Sequence, residues 1–259
     1  MPDNKLIILG CGASAGVPAA NNYWGACDPS DPRNFRTRSS AYVEIRGAKI
    51  LIDTSPDLRT QMLKNQIKDI DAVLYTHAHA DHTHGIDELR ALFFHKGKKR
   101  IPIYGAKKTI HDLQKTFSYL FHQGALEIYP QILEPNIIEG KFTIGDTEIV
   151  SFPQRHGKDG LSTGFRIGNM AYSTDFSSLD EQALHCLQGI HLWIIDCLSI
   201  DPRPTHLSLQ EALGWIEKVQ PKKAILTHMN TTLDYKKTLE SLPPHIKPAY
   251  DGLTVKVNG

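Results

Sequence analysis

Cysteine is scarce in these 259 residues: there are four, Cys11, Cys27, Cys186 and Cys197, and no two of them make a C-x-x-C pair. That excludes a disulfide-stapled scaffold and fits a reducing compartment. Long apolar runs are missing too. The opening MPDNKLIILG holds an apolar stretch of only four residues, too short for a secretory signal, and no later run reaches the length of a membrane-spanning helix. Charge of one sign is also lacking. The net charge of +1 creates no global field that would draw the chain to duplex nucleic acid or a membrane surface. Nor is there a low-complexity linker or a short-period repeat to divide the chain. The expectation is a single cytoplasmic domain over 1–259, with no duplex nucleic acid and no membrane as partner. A homodimer stays open.

What is present reads as an ordinary globular chain, 41% hydrophobic and 22% charged, able to bury a sizeable core. Short apolar runs predict strands at 5–9, 41–45, 49–53, 72–76 and 101–105, and again at 164–168, 170–174, 192–196 and 223–227. Helical spacing appears over 86–94, 109–121 and 209–219. The last opens with Ser208 three residues before Glu211, a capping box. Strands interleaved with helices point to an α/β fold.

Histidine is where this sequence is rich. The stretch VLYTHAHADHTHGI (73–86) places His77, His79, Asp81, His82 and His84 within eight positions. His77 and His79 fall on one side of an extended segment, and Asp81 and His82 follow where a loop turns toward a helix. Two donor pairs so close and differently aimed suit two metal ions, which need a bridging anion and further nitrogen donors. The chain supplies candidates at the ends of later apolar runs: SFPQRH ends at His156, MAYSTD at Asp175 and AILTH at His228. ILID and LWIID end likewise at Asp53 and Asp196. Carboxyl ends of strands are where open α/β sheets gather their ligands.

THAHADH resembles the H-x-H-x-D-H signature of the metallo-β-lactamase superfamily, and His156, Asp175 and His228 follow in the order that superfamily uses. LGCGASAGVP (9–18), LIDTSPDLR (51–59) and YDG (250–252) resemble the branch containing the phosphoribosyl cyclic phosphodiesterase of the carbon–phosphorus lyase pathway. The resemblance covers nearly the whole chain. It implies an αββα four-layer sandwich, with two mixed sheets face to face and helices outside. It implies one metal on His77, His79 and His156 and a second on Asp81, His82 and His228, with Asp175 bridging. Zn²⁺ or Mn²⁺ would serve, and Fe²⁺ is compatible with the same donors. Water between two cations would supply hydroxide near neutral pH. Asp81 and Asp175 count as catalytic residues, and so does His206 in DPRPTHLSLQEAL, at the place where that branch has a phosphate-contacting histidine. A positioned imidazole can protonate a departing alkoxide; the alternative for His206 is a loop hydrogen-bonder ahead of a helix. Asp53 and Asp196 either hold imidazole tautomers or form turns after their strands.

The activity implied is hydrolysis of a small phosphodiester, a cyclic sugar phosphate or a short nucleotide. Thioester and lactone hydrolases and tRNA 3′-processing nucleases share these ligands, although the nucleases add a basic arm not evident here. A metal-binding regulatory protein without turnover is the alternative from another class. His79 stands where di-iron oxidoreductases carry an acid, and Asp175 where secreted β-lactamases carry cysteine. The characterised cyclic phosphodiesterase also holds a structural zinc on three cysteines after the glycine loop and a histidine three residues past the last ligand. Here WGACDPSDPRN offers Cys27 alone, and Thr231 stands in the histidine's place. No third, structural zinc is expected, and Asp and Pro turns would order that loop. The glycine segment 10–18 misses the dinucleotide spacing and reads as a tight loop near the metals. Tyr23 and Trp24 read as packing rather than base-stacking residues, and KGKKR (96–100) as a solvated loop. His84 reads as exposed or contacting substrate, and the remaining histidines as structural.

Overall fold

A computed structural model of the chain describes residues 4–122 and 130–257. The strands are β1 (Lys5–Gly10), β2 (Ser40–Ile45), β3 (Ala48–Ile52), β4 (Ala72–Leu74), β5 (Ile101–Gly105), β6 (Leu133–Ile137) and β7 (Lys141–Ile144). They continue with β8 (Thr147–His156), β9 (Gly160–Ile167), β10 (Met170–Ser173), β11 (Leu192–Asp196), β12 (Lys223–Thr227), β13 (Ile246–Pro248) and β14 (Thr254–Lys256). Between them lie α1 (Leu58–Lys64), α2 (Ala80–Thr83), α3 (Leu89–His95), α4 (Lys107–Thr116), α5 (Ser118–Phe121), α6 (Glu181–Leu187), α7 (Leu209–Val219) and α8 (Tyr235–Ser241). Two mixed seven-stranded sheets form, in the orders β14-β1-β2-β3-β4-β5-β6 and β13-β12-β11-β10-β9-β8-β7.

The strand residues alternate between two cores, as a period of two requires. In β1, Leu6 and Ile8 enter the core between the sheets, while Ile7 and Leu9 enter a second core with Leu58, Leu89, Ile110 and Leu120 of the outer helices. β2 and β3 divide likewise: Val43, Ile50 and Ile52 face inward, Tyr42 and Leu51 outward. Both faces of the sheet are covered, so its strands are apolar almost without a break. Against the other sheet, Ala183 and Leu187 of α6 and Ala212 and Ile216 of α7 join the cluster around Trp193, Tyr172 and Phe165. The result is the αββα four-layer sandwich. Among the described residues no helix is long and apolar enough to cross a membrane.

Several expected elements differ in their limits. The helix expected over 109–121 breaks at Phe117, whose φ of −117° and ψ of 39° are not helical, and becomes α4 and α5. The segment 86–94 begins as a 3-10 turn at Ile86–Glu88 before α3. Asp81 and His82 lie on their own one-turn helix α2, not in a loop leading to the next one. α7 has the expected span and its capping box, with Ser208 and Glu211 bonded reciprocally. The strands β6, β7, β13 and β14 and the helices α1, α6 and α8 carry no strong periodic signal and emerge only with the fold.

Candidate metal centre

The strands β3, β4, β10, β11 and β12 run in the direction of β1 and β8, so their carboxyl ends share one edge of the sandwich. His77 follows β4, His156 ends β8 and Asp196 ends β11. Asp53, Asp175 and His228 sit just beyond β3, β10 and β12 with φ of 59°, 55° and 59°. A left-handed residue there turns the chain sharply at the strand end. Asp and His tolerate this conformation better than most residues, and it is common at functional sites.

The side chains converge in three groups whose donor atoms lie within 4.8 Å of one another: His77, His79, His156 and Asp175; Asp81, His82, Asp175 and His228; Asp175, Asp196, His206 and His228. Asp175 belongs to all three. Of these residues only His79 is exposed; Asp81 and His206 are half-buried and the others buried. His84 is exposed at the end of α2, edge-on to Phe117.

Fixed partners orient the rings. Asp53 accepts from His82 Nδ1 at 2.7 Å and from Thr76 N and Thr76 Oγ1 at 2.8 Å each. Thr76 Oγ1, its proton given to Asp53, offers a lone pair to His77 Nδ1 at 3.0 Å. His156 Nδ1 donates to Thr205 O at 2.9 Å. Ser39 Oγ donates to Gly12 O and lies 3.1 Å from His228 Nδ1. These contacts leave inward-facing nitrogens unused. Among the described residues His77 Nε2 and His82 Nε2 are buried without a hydrogen-bond partner, and the latter, 3.1 Å from Asp175 Oδ1, is not aligned to make one. His156 Nε2 faces His79 Nδ1 at 3.3 Å. Buried imidazole nitrogens left without partners around shared carboxylates are a donor set that fits divalent cations.

The electrostatics agree. Burial pushes the His77, His156 and His228 pKa values down, favouring the neutral form of imidazole, the form able to donate to a metal. For His82 burial acts the same way, but the Asp175 and Asp53 carboxylates outweigh it and hold the ring's pKa well above the usual range. Burial works against the charged Asp175 carboxylate, yet His228 and His82 keep its pKa well below normal. Burial raises Asp53 despite the pull of His82 and Thr76. His206 is raised to about 9: burial opposes the cation, and the Asp196 carboxylate, 3.4 Å from Nδ1, prevails. Asp196 also accepts from the backbone N–H groups of Asp175 and Leu207. His206 Nε2 is 3.7 Å from Asp175 Oδ2.

The glycine segment touches this edge. Gly12 bridges to Met229, beside His228, and to Arg38. A Cβ on Gly12 would lie 2.8 Å from Arg36 O, so the close backbone approach requires glycine. Tyr23 is 59% exposed rather than packed, and Trp24 Nε1 donates to Asn22 Oδ1. Around Cys27 lie the carbonyls of Thr231 and Leu233, and Cys27 belongs to none of the three donor groups. Asp28 and Asp31 do form local turns. Beside these turns, a buried cation also holds the loop. Arg36, 1% exposed, donates to Asn230 O at 3.1 Å, Leu233 O at 2.6 Å and Asn34 Oδ1 at 3.2 Å. Asn34 in turn donates to Asp234. Sequence reasoning passed over Arg36, Ser39, Thr76 and Thr205. The one signal available was the repeated Thr-His at 76–77, 83–84, 205–206 and 227–228.

Residues 48–229 match the family described as "Beta-lactamase superfamily domain". The crystal structure of a diphosphatase from the PhnP family is 35% identical with a TM-score of 0.90, covering 98% of this chain and 97% of that one. An octanoyltransferase of Porphyromonas gingivalis is 31% identical over 256 residues, 96% of this chain and 51% of that protein. A ribonuclease Z of Clostridium acetobutylicum is 27% identical over 147 residues, 54% of this chain and 48% of that protein. Those alignments cover only about half the length of either curated relative.

Proposed function

The chain belongs to the β-lactamase superfamily, as its match over residues 48–229 establishes, and from that membership we propose that it is a dinuclear-metal phosphodiesterase acting on a small substrate. The superfamily hydrolase activity is common ground; the diester, a cyclic sugar phosphate or a short nucleotide, is the specific reading. One observation carries it: a single carboxylate, Asp175, is common to two imidazole-rich donor groups and has the His206 ring beside it. Two divalent ions, Zn²⁺ or Mn²⁺, held by His77, His79 and His156 and by Asp81, His82 and His228 with Asp175 shared, would neutralise phosphoryl charge and supply a nucleophile at neutral pH.

The protein's own groups do the rest. In the hydrolysis, water adds its oxygen to phosphorus, one ester P–O bond breaks, and the departing alkoxide needs a proton. His206, kept cationic by Asp196 with its Nε2 toward Asp175, is placed to give that proton or to bind a phosphoryl oxygen. Asp196 orients this ring and holds the backbone N–H of Asp175. Asp53, Thr76 and the Thr205 carbonyl fix the ligand tautomers. The net charge of +1 offers little attraction to a long polyanion, which favours a small substrate. All four cysteines are free, which supports a reducing, cytoplasmic setting.

The names of two relatives, diphosphatase and ribonuclease, lend support. A second reading, ester or thioester hydrolysis, is favoured by the relative named for octanoyl transfer, a protein about twice the matched length. Metal-loaded protein should cleave bis(4-nitrophenyl) phosphate, and chelation or Asp175→Ala should reduce this to background. Wild-type turnover in Asp175→Ala, or faster cleavage of an octanoyl thioester than of any diester, would overturn the phosphodiesterase reading.

A further inference from the structure

A cleft of about 860 Å³ adjoins the metal centre, with His77, His79 and His156 at one end. One wall is α4; the other is formed by β8 and β9. Its volume lies within the range of pockets that enclose small organic ligands. Pro153, Ile138 and Leu161 give it an apolar surface, and Thr109 and Thr163 add hydroxyl-bearing side chains. Leu161 is 64% exposed although it stands on a regular strand. A large apolar side chain left in water beside a catalytic centre is a surface that a ligand can cover.

The charges say which ligand. The lining holds Lys108 and Lys115 against Asp112, Glu139 and Asp159, two positive groups and three negative. Lys108 is already paired with Asp112 at 2.6 Å. One lysine and two carboxylates remain, all on exposed residues. A further phosphate would meet a net negative lining; an uncharged ring would meet apolar and hydroxyl groups.

We infer that this cleft receives an uncharged, ring-bearing substituent of the substrate, a nucleoside or aryl group esterified to the phosphate held at the metals. The inference rests on the phosphodiesterase reading, and it selects the diester's second arm. The test is a series of 4-nitrophenyl phosphodiesters differing only in that arm: methyl, carboxymethyl, phenyl and 5′-thymidyl. For the metal-loaded chain, kcat/KM should be at least about tenfold higher for phenyl and thymidyl than for methyl, and lowest for carboxymethyl. Leu161→Asp should shrink the advantage of the ring-bearing arms to less than about threefold. Thymidine binding, read by saturation-transfer NMR on the whole chain without added metal, should be present in wild type and absent in Leu161→Asp. If no diester is cleaved yet thymidine still saturates, the phosphodiesterase reading fails and the cleft stands. Equal kcat/KM for the methyl and thymidyl diesters, with no thymidine saturation, would overturn the cleft.

Discussion

Replacing Asp53 with asparagine changes no volume and removes one acceptor oxygen from a site that uses both. In the native site Oδ1 accepts from Thr76 N, and Oδ2 accepts from both Thr76 Oγ1 and His82 Nδ1. An amide can be placed in two ways. With its nitrogen at the Oδ1 position, two N–H groups face each other at the Thr76 backbone, in a site that is fully buried. With its nitrogen at the Oδ2 position, a donor faces His82 Nδ1, and that ring must move its proton to Nε2, the atom that faces Asp175. Thr76 Oγ1 would then turn its own proton toward His77 Nδ1 and disturb that ring as well. The first placement costs about 1–3 kcal/mol of stability for an unsatisfied buried group. The second should weaken metal binding by roughly 10–100-fold, the usual effect of losing a group that orients a ligand. Thermal unfolding of the chelated protein and competition titration against a chromophoric chelator separate the two. Wild-type stability together with wild-type affinity for every equivalent would refute the orienting role.

Four further outcomes follow from the same structure. His206 must be protonated to act as an acid, so activity should fall as pH rises through its raised value, at or below about 9 once cations are bound nearby. His206→Ala should lose that limb and roughly 10²–10⁴-fold in kcat for poor leaving groups, with a smaller loss for aryl ones; equal losses for both would argue against the acid role. His82, held protonated by Asp175 and Asp53 in the cation-free site, must release a proton to bind metal. Affinity should therefore rise with pH, and calorimetry at pH 6–7 in buffers of different ionisation enthalpy should detect proton release; its absence would contradict this account. Arg36→Met takes the buried donor away from the Asn230 and Leu233 carbonyls and should cost about 1–3 kcal/mol for each acceptor left unsatisfied, read by denaturant unfolding; unchanged stability would contradict this role. Cys27→Ser should leave about two metal equivalents in place; a third equivalent that vanishes with Cys27 would show the loop to be misread.

Local patterns in the sequence were enough for much of the fold. Apolar runs fit β1, β3, β11 and β12 because a strand covered on both faces has no polar side to interrupt it. Ser208 and Glu211 marked the start of α7 because a capping box closes within four residues. The histidine and aspartate pattern singled out the residues that the structure gathers around Asp175: His77, His156, Asp175, Asp196 and His228 stand at or just past a strand end, whereas Asp81 and His82 lie on α2 and His206 in the loop before α7. Edge strands and short helices such as β6, β14, α1 and α8 were illegible because tertiary contacts, not periodicity, hold them. The break at Phe117 was equally silent in a sequence that keeps its helical spacing.

Only the tertiary structure decided what surrounds those donors. Ser39 reaches His228 across 189 residues, Arg36 reaches Leu233 across 197, and the Thr205 carbonyl reaches His156 across 49. A backbone carbonyl has no sequence signature, and a serine or arginine gains its role from whatever a distant strand brings beside it. The cleft beside His77 depends even more on assembly, because α4, β8 and β9 meet there only when the two sheets pack. Which side chains can donate to a metal is a property of residue types along the chain; the orientation of those donors and the shape of the space beside them come from long-range packing.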